Sequence, residues 1–422
     1  MYLVHSEDQE QLTSQLAVDR FGLPGLQGSE GQPLDGGENI CGRGRYGVLL
    51  PLVVSRFALT APLPGIGPAS VALERAATAR SILYRALPAM KAMVLAAGLG
   101  TRLRPITYEL PKPMVPVLDR PVMGHIVGML ERQGFDELVA NLHYFPDEIK
   151  GYFGSRLTYR YEPELLGTAG GVRNAADFFG DEPVVVVSGD ALTDLDLNTL
   201  VERHRSAGGV ATLTVKKVPD TREYGVVIHD AEGRVQGFQE KPDPAEALSD
   251  LGNCGIYCFS AEIFDYFPDG DPVDWAQDVF PVLLDNDVPF YVHEIDAYWN
   301  DVGSLDELRQ GTWDALDGKL GLAVSGSSVV KGVTFGEGSD LDDVEIVSGP
   351  VWVGAGVSFG SDVRLIGPVA IGDGSTVGDG VALRDSIVFP GTDVAAGEIL
   401  IGAIRGGSGI IQRARPLEAL GS

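Results

Sequence analysis

The fold is decided by Met90-Lys-Ala-Met-Val-Leu-Ala-Ala-Gly-Leu-Gly-Thr-Arg-Leu-Arg-Pro105. A short apolar run, typical of a buried strand, leads directly into a glycine turn. Gly98 and Gly100 let backbone N–H groups come close to a phosphate. Arg102 and Arg104 place cations beside them. The stretch therefore predicts the first strand of an α/β domain, with an anion-binding loop at its carboxyl end.

The glycine turn matches neither of two common phosphate-binding motifs. It lacks Gly-Lys-[Ser/Thr], and Leu103 stands where the third glycine of a dinucleotide fingerprint belongs. A further cation follows at Lys112, between Pro111 and Pro113, which stiffen the chain that holds it. Two glycines and three cations in one short segment indicate an anion site of a different kind.

Alternation of β-rich and helical segments continues from Lys91 to about Lys319. It predicts an α/β fold with a Rossmann-like, mostly parallel sheet covered by helices on both faces. Ligands of such sheets bind beyond the carboxyl ends of the strands, where the glycine turn lies. The predicted strands are 92–96, 137–142, 183–187 and 210–215, and the predicted helices are 122–132, 171–179 and 198–206.

A six-residue repeat replaces this alternation after Leu320. The period is typical of hexapeptide coils, which stack aliphatic side chains and turn at small residues. We therefore expect a left-handed parallel β-helix over 321–406 and a C-terminal tail at 407–422. The repeated positions are Val329, Phe335, Leu341, Val347, Val353, Phe359, Leu365, Ile371, Val377, Leu383 and Phe389, with Val357, Val363, Val369, Val381 and Ile387 as a partial second row.

Composition narrows the class of protein further. Residues 1–89 contain no Lys and show no sustained period, so we expect a poorly ordered extension without a catalytic role before the domain at 90–320. The formal net charge of −27 opposes binding to nucleic acid. No apolar run is long enough to span a bilayer, and three cysteines do not make a disulfide framework. We therefore expect a cytoplasmic protein with no membrane or nucleic-acid partner.

Two motifs are similar to those of a known family. Strong resemblance to the nucleotide-sugar pyrophosphorylases, which are sugar-1-phosphate nucleotidyltransferases, is carried by Leu95-Ala-Ala-Gly-Leu-Gly-Thr-Arg-Leu-Arg-Pro-Ile-Thr107 and Leu110-Pro-Lys-Pro-Met-Val-Pro-Val117. The resemblance spans roughly Lys91 to Gly406. It implies an Mg²⁺-dependent enzyme that joins a nucleoside triphosphate to a hexose 1-phosphate and releases pyrophosphate.

The resemblance assigns roles to residues of the nucleotide half. Arg102 would contact the triphosphate and stabilise the transition state, and Lys112 would contact phosphate. Gly167 would lie beneath the nucleobase. Asp190 and Asp301 would hold Mg²⁺ between them. The implied nucleotide-binding residues are Leu95, Ala97, Gly98, Gly100, Thr101, Arg102, Lys112, Glu162, Gly167 and Thr168.

The resemblance also assigns a sugar-phosphate site. Gly225 belongs to a Tyr-Gly motif, and Glu240 would accept hydrogen bonds from sugar hydroxyls. Lys241 would hold the sugar phosphate and act, with Arg102 and Lys112, as a catalytic cation. Asn253 matches a sugar-contacting asparagine of the family. The implied chemistry is in-line attack by the sugar phosphate on the α-phosphorus, with charge neutralisation as the task of the protein.

The identity of the base depends on Glu162 and Glu164, which precede Gly167. A carboxylate only accepts hydrogen bonds, and guanine offers two adjacent donors, N1–H and N2–H. Uracil or thymine offers one donor flanked by acceptors, which suits a Gln better. These residues favour GTP and a mannose-1-phosphate guanylyltransferase-like enzyme, with a glucose-1-phosphate thymidylyl- or uridylyltransferase as the alternative.

Other functions compete with this interpretation. Acyltransferase sites on hexapeptide coils generally use a histidine base, but all six histidines precede the repeats, so we expect no such site. A non-catalytic, sugar-nucleotide-binding regulatory subunit is a second alternative. It should show damaged motifs, whereas Arg102, Lys112, Asp190, Lys241 and Asp301 are all present. We expect the coil to pack against other subunits in a homo-oligomer.

Overall fold

The computed structural model describes residues 90–322, 326–330 and 332–413. The extension expected at 1–89 lies outside the described residues, and so does the end of the expected tail, 414–422. Within the described part, no helix combines the length and the apolar character needed to cross a bilayer.

A nine-stranded sheet forms the centre of the first domain. Its strands are β1 Met90–Leu95, β4 Phe135–Leu142, β5 Thr158–Tyr161, β6 Val184–Ser188, β8 Ala211–Lys217, β9 Gly225–His229, β10 Val235–Glu240, β11 Leu251–Phe259 and β12 Tyr291–Glu294. Seven of them follow the order β10-β9-β11-β6-β1-β4-β5, and β8 pairs with both β11 and β12. Two small ladders join β2 Pro116–Val117 to β3 Arg120–Pro121 and β7 Leu192–Thr193 to β13 Trp299–Asn300.

Helices cover both faces of this sheet, because successive residues of a strand point to opposite sides. Ala92 and Val94 of β1 enter one apolar core, and Met93 between them enters the other. The first core is closed by α1 Val122–Arg132, α2 Pro146–Phe153, α5 Leu197–Ala207 and α7 Leu305–Leu316, and the second by α3 Gly167–Arg173, α4 Ala176–Phe179 and α6 Phe280–Asp285.

Two sequence expectations for this domain need correction. The sheet is mixed, since β11 runs antiparallel to β6, β8 and β9, and as many pairings are antiparallel as parallel. Hydrophobic periodicity marks a strand but does not carry its direction. The helix expected at 171–179 is divided into α3 and α4 around Asn174 and Ala175, because Asn174 caps α3 and Ala175 leaves helical geometry.

Most strands of the remaining chain run parallel to each other and pair with a strand about eighteen residues further on, while the first and last pairings are antiparallel. Val333 pairs with Val351, and Val351 pairs with Val369. The strands are β14 Ser327–Val330, β15 Val333–Phe335, β16 Val344–Ser348, β17 Val351–Val353, β18 Ser358–Phe359, β19 Val363–Ile371, β20 Thr376–Val377, β21 Ala382–Val388, β22 Asp393–Val394, β23 Ile399–Ile401, β24 Ala403–Gly406 and β25 Gly409–Arg413. We call this region, residues 326–413, the coil.

Most of the hexapeptide positions with a described side chain are buried, but Val347 is not. A register shift between Ile346 and Ser348 removes Val347 from the ladder, and its side chain is 48% exposed. The last strand of the coil with a parallel partner, β24, ends at Gly406. The chain turns back after Gly406, and β25 pairs antiparallel with β24.

The coil and the α/β domain share one apolar core. Trp352, Phe389 and Ile404 of the coil belong to the same buried cluster as Leu103 and Val115, which lie just after the glycine turn. Trp352 and Phe389 also line clefts together with Pro116 and Leu118, so the coil lies against the segment that follows the glycine loop.

Candidate active site

Strand register gathers the site at the carboxyl edge of the sheet. Leu95, the last residue of β1, pairs with Asn141 on β4 and with Ser188 on β6. Gly189 N also donates a hydrogen bond to the Leu95 carbonyl, at 2.8 Å. Polar side chains on either side of β1 thus open onto the same edge, where ligands of such sheets bind.

A cleft of about 270 Å³ lies at this edge. Eight of the residues predicted for nucleotide or metal binding line it. They are Leu95, Ala97, Gly98, Lys112, Glu162, Gly167, Thr168 and Asp190. The cleft joins segments that are up to 95 positions apart in sequence, and it also includes Asn141 and Ser188, which sequence reasoning did not single out.

The glycine loop closes against Lys112. Gly100 has a φ of 62°, and a Cβ atom there would lie 2.7 Å from the Lys112 Cβ, so a side chain would push the lysine out of place. The Thr107 hydroxyl donates to the Gly100 carbonyl at 2.8 Å. Thr101 and Arg102 form the 3₁₀ turn that follows. The loop therefore holds its backbone and two cations in a fixed arrangement.

The turn at Gly167 is built around a close backbone approach. Gly167 has a φ of 81°, and a Cβ there would lie 2.3 Å from the Val273 carbonyl oxygen. Ala169 N and Gly170 N both donate to that oxygen at 3.0 Å. The Thr168 hydroxyl donates to Asp274 at 2.7 Å. Only glycine fits at 167, and the segment after residue 271 supports the turn.

Glu162 is buried beside this turn and is held at both carboxylate oxygens. Asn141 Nδ2 donates to Oε1 at 2.8 Å, and Leu166 N donates to Oε2 at 3.2 Å. Glu162 is only 1% exposed to solvent, yet it borders the cleft. A carboxylate accepts about four hydrogen bonds, so it keeps acceptor capacity towards a ligand.

Asp190 lies on the other side of β1. Lys112 Nζ is 2.5 Å from its Oδ2, and the Ser188 hydroxyl donates to its Oδ1 at 2.7 Å. Gly255 lies beside Ser188, since a Cβ at 255 would be 3.2 Å from the Ser188 Cβ. Asp190 is therefore oriented by Ser188, which ends β6, and by Lys112, which comes from the loop after β1.

Asp301 comes to the same site from the far end of the domain. Arg102 is 3.6 Å from its Oδ2, and its Oδ1 is buried without a hydrogen-bond partner among the described residues. Burial, then the neighbouring Glu307 carboxyl, raises the pKa of Asp301 above its ordinary value, and Asp190 adds to this shift. A buried oxygen without a donor, close to further carboxylates, fits the oxygen ligands that hard divalent cations prefer.

Glu307 and Tyr224 surround Asp301. The Tyr224 hydroxyl donates to Glu307 Oε1 at 3.2 Å, and its ring lies 5.2 Å from that of Trp299. Burial acts to raise the pKa of Glu307, but interactions with Asp301, Ser304 and Tyr224 outweigh it and the pKa is lowered. These contacts connect the metal motif with the Tyr224-Gly225 motif.

The residues predicted for sugar phosphate lie on three neighbouring strands, β9, β10 and β11, with Lys241 directly after β10. Gly225 pairs with Glu240, and a Cβ at 225 would lie 3.1 Å from Glu240 Oε2. Lys241 follows with a φ of 46°, is exposed, and has no ion-pair partner among the residues that the structure describes. Asn253 accepts a hydrogen bond from Gly255 N at 3.1 Å, which places it near Ser188.

Three residues of the site were missed from sequence. Asn141 is a polar residue at the end of an apolar strand, a signal that could have been used. Ser188 precedes the Gly-Asp turn; Tyr224 belongs to the Tyr-Gly motif identified from sequence, although no role was given to its side chain. Glu307 lies in the first turn of a helix, where acidic residues are common for reasons of helix polarity, so its sequence position carried no site signal.

Comparisons with known proteins bear on this site. A family model described as nucleotidyl transferase matches residues 91–318. A UTP–glucose-1-phosphate uridylyltransferase of Synechocystis sp. is 38% identical over 338 residues, covering 74% of this chain and 86% of that protein. A mannose-1-phosphate guanylyltransferase of Mycobacterium tuberculosis is 33% identical over 316 residues, covering 73% of this chain and 82% of that protein. The chain is thus similar to enzymes that differ in base and in sugar.

Proposed function

Since the chain belongs to the nucleotidyl transferase family and is an enzyme of its sugar-1-phosphate branch, we propose that the cleft described above is where a nucleoside triphosphate meets a hexose 1-phosphate. One observation supports this proposal above all. At the carboxyl edge of the sheet Lys112 pairs with Asp190, and Arg102 pairs with Asp301. The products are a nucleoside diphosphate sugar and pyrophosphate.

The reaction needs alignment and charge neutralisation more than proton transfer. A phosphate oxygen of the sugar 1-phosphate attacks the α-phosphorus, a new P–O bond forms, and the bond to pyrophosphate breaks. The nucleophile is already an anion, so no general base is required. In this proposal Arg102 and Lys112, which border the acidic pair of the site, neutralise the triphosphate. Lys241, which is exposed and has no ion-pair partner in the described part of the chain, neutralises the sugar phosphate. These cations reduce the repulsion between two anions.

We also propose that Asp190 and Asp301 hold Mg²⁺. The donor set consists of carboxylate oxygens, and the buried Asp301 Oδ1 has no hydrogen-bond partner in the described part of the chain. Mg²⁺ binds such oxygens and, when bound, neutralises phosphate charge in the transition state. Ser188 and Arg102 would keep the two carboxylates oriented towards it.

For the substrates we propose UTP and glucose 1-phosphate. Both oxygens of Glu162 accept one hydrogen bond from the chain and keep further acceptor capacity, so the carboxylate can accept the single N–H donor of uracil. The Synechocystis protein, a UTP–glucose-1-phosphate uridylyltransferase, is 38% identical to this chain, against 33% for the Mycobacterium tuberculosis protein.

GTP with mannose 1-phosphate is the second candidate. It is favoured by the presence of a carboxylate, rather than an amide, at Glu162. The Mycobacterium tuberculosis relative supports it to a lesser degree. The two candidates differ in one measurable quantity, the nucleotide that gives the highest kcat/KM.

For the coil we propose a left-handed β-helix that joins copies of the chain. The parallel pairing at intervals of about eighteen residues supports three short strands per turn. Ile399 and Ile401 are exposed on β23 and give this face an apolar character. Light scattering of the purified protein measures the association, and a mass equal to one chain would oppose it.

Pyrophosphate release across four nucleoside triphosphates and several hexose 1-phosphates tests the function. We expect turnover with UTP and glucose 1-phosphate, lost on chelation by EDTA and restored by Mg²⁺. Asp190→Asn and Asp301→Asn should lower kcat by about 100-fold or more, because each removes a charged metal ligand, with the circular dichroism spectrum unchanged.

The matched control is Asp177→Asn. Asp177 pairs with Arg160 at the protein surface and lies in none of the contacts of the cleft. This variant should keep the rate of the wild type. Wild-type rates in either Asp190→Asn or Asp301→Asn would contradict the metal assignment, and no release with any substrate pair would contradict the function.

A further inference from the structure

A buried amide at the end of β4 has no part in the reaction described above. Asn141 is 3% exposed and stands between Ala140 and Leu142, both of which are fully buried. Placing an amide in such surroundings costs free energy unless its polar atoms are bonded. Its hydrogen bonds therefore indicate why an asparagine is there.

Asn141 joins the phosphate loop to the base turn. Its Oδ1 accepts a hydrogen bond from Ala96 N at 2.9 Å, at the point where β1 passes into the glycine loop. Its Nδ2 donates to Glu162 Oε1 at 2.8 Å. One side chain thus contacts two segments that lie 45 residues before it and 21 residues after it.

Glycine at position 171 makes this pairing possible. A Cβ there would lie 2.6 Å from Asn141 Nδ2 and 2.8 Å from Glu162 Oε1, so any other residue would separate the amide from the carboxylate. The second oxygen of Glu162 is held by Leu166 N. The carboxylate plane is therefore fixed from three sides, and Asn141 and Glu162 both border the cleft.

We propose that Asn141 is a positioning residue that sets base selectivity, by fixing the Glu162 carboxylate at a defined place relative to the phosphate loop. The inference rests on the proposed function, because it requires a nucleotide in the cleft. A carboxylate with one lone pair on each oxygen already occupied presents a limited set of acceptors to a base. The bond to Ala96 N keeps these acceptors at a constant separation from the phosphates.

Nucleotide binding by the full chain tests the inference. Dissociation constants for UTP, GTP, ATP and CTP are measured by calorimetry for the wild type, Asn141→Ala and Asn141→Asp. We expect Asn141→Ala to weaken the preferred nucleotide by about 10- to 100-fold and the others by less than about threefold, because only the preferred base uses the oriented carboxylate. The variant should therefore bind the four nucleotides with more similar dissociation constants than the wild type does.

The control is Thr212→Val, which removes another buried hydrogen bond from the same sheet. Thr212 lies on β8 and contacts His204 at 3.0 Å. This variant should lower the unfolding temperature and leave the ratios between nucleotides unchanged. A purely structural role for Asn141 would give the same pattern as the control.

Asn141→Asp provides a readout that packing alone does not give. It replaces the donor by a carboxyl against Glu162 Oε1, and two carboxyls at this distance do not both ionise readily. Affinity of the variant relative to the wild type should therefore rise as the pH falls, since a shared proton restores a donor. Other titratable groups near the site are Lys112 and Asp190 in the cleft and His143, which contacts the Glu162 carbonyl. Both proteins contain them, so their effect on the pH dependence of affinity cancels in the ratio of variant to wild type.

Equal losses for all four nucleotides, or no loss, would overturn the inference. If Asn141→Ala does not fold, the near-isosteric Asn141→Asp provides the test. An affinity relative to the wild type that does not change with pH would then contradict the proposal. The binding data are separate from turnover. A wild type that binds one nucleotide selectively but releases no pyrophosphate would contradict the proposed function. The ratios between the dissociation constants of the four nucleotides would still support or reject the role of Asn141.

Discussion

Single residues of this protein show how burial and charge act against each other. Asp301 has one oxygen near Arg102 and the other buried without a partner in the described part, beside the carboxyl of Glu307. Its pKa is raised because burial disfavours the ionised form. Such an arrangement is costly for stability alone, and it is understandable where a cation is bound.

Burial has the opposite effect on the pKa of a histidine that does not line the cleft. His125 lies in α1, is 5% exposed, and its Nε2 donates to the Val117 carbonyl at 2.8 Å. Burial lowers its pKa from 6.5 to about 4, and Arg120 and Arg132 act in the same direction. The unfolded chain therefore binds more protons than the folded chain between these two pH values.

The prediction is that His125 makes the protein sensitive to acid. Its contribution to stability is fully present above pH 6.5 and is lost as the pH falls towards 4. His125→Gln keeps a donor but does not titrate, so between pH 7 and pH 4.5 the wild type should lose about 2–3 kcal/mol more free energy of unfolding than the variant. Urea unfolding at both pH values measures the difference.

His229→Gln is the control for this comparison. His229 is half-buried on β9, and its Nδ1 contacts the Asp230 carbonyl at 2.6 Å. We expect this variant to follow the wild type. Equal acid sensitivity of His125→Gln and the wild type would show that the imidazole stays neutral in both states or is free to protonate in both.

Among the elements, α7 has contacts with both the site and the coil. Ser304 caps the helix, since its hydroxyl accepts from Glu307 N at 3.2 Å. The first turn then directs Glu307 towards Asp301 and Tyr224, and the next turn directs Arg309 towards Asp385 on β21 of the coil, at 2.7 Å. The helix thus links the metal motif to the coil.

We predict that the Arg309–Asp385 pair stabilises the protein. The Arg309 side chain is 11% exposed, so Asp385→Ala leaves a largely buried guanidinium without this carboxylate. The loss should be about 1–3 kcal/mol in the free energy of unfolding, less than for a fully buried pair because Asp385 is partly exposed. Urea unfolding gives the value, and Arg309→Met with Asp385→Ala should recover part of it.

The Arg156–Glu131 pair serves as the matched comparison. It has a similar distance, 2.7 Å, but both side chains are exposed to solvent. Removing Glu131 should cost less than about 1 kcal/mol. If the two pairs cost the same, the contact between α7 and the coil has no special role in stability.

At the scale of the whole molecule, the shared core joins the two domains. Trp352 is 2% exposed and packs in the same cluster as residues of the glycine-loop region. Apolar area buried at such a boundary couples the unfolding of both sides. The coil is therefore part of the structure that supports the segment after the glycine loop, in addition to any role in association.

The corresponding prediction is that β6 of the α/β domain and β19 of the coil open together. Amide hydrogen exchange should give both strands the same opening free energy, and Trp352→Ala should lower both by about 3–5 kcal/mol. Val347→Ala, at an exposed position of the coil, should change neither. Coil amides that exchange with a clearly lower free energy would show that the coil unfolds on its own.

Sequence patterns gave correct information where the cause was local. The strand before Gly98 and α1 were predicted closely, because their periodicity is a property of neighbouring residues. The direction of β11 was not predictable, since it depends on which strands lie beside it. Val347 was wrongly expected to be buried in the coil, because a register shift between paired strands cannot be recognised from the spacing of apolar residues.

By itself the sequence determined the glycine loop, its cations, the acidic residues at strand ends and the spacing of the coil, since each follows from residue type and local period. Only the tertiary structure decided that Asn141 bonds to Glu162, that Tyr224 and Glu307 surround Asp301, and that the coil packs against the segment after the glycine loop. The reason is physical. These contacts join residues that are distant in sequence, and they form only when the register of the sheet and the shared core bring the segments together.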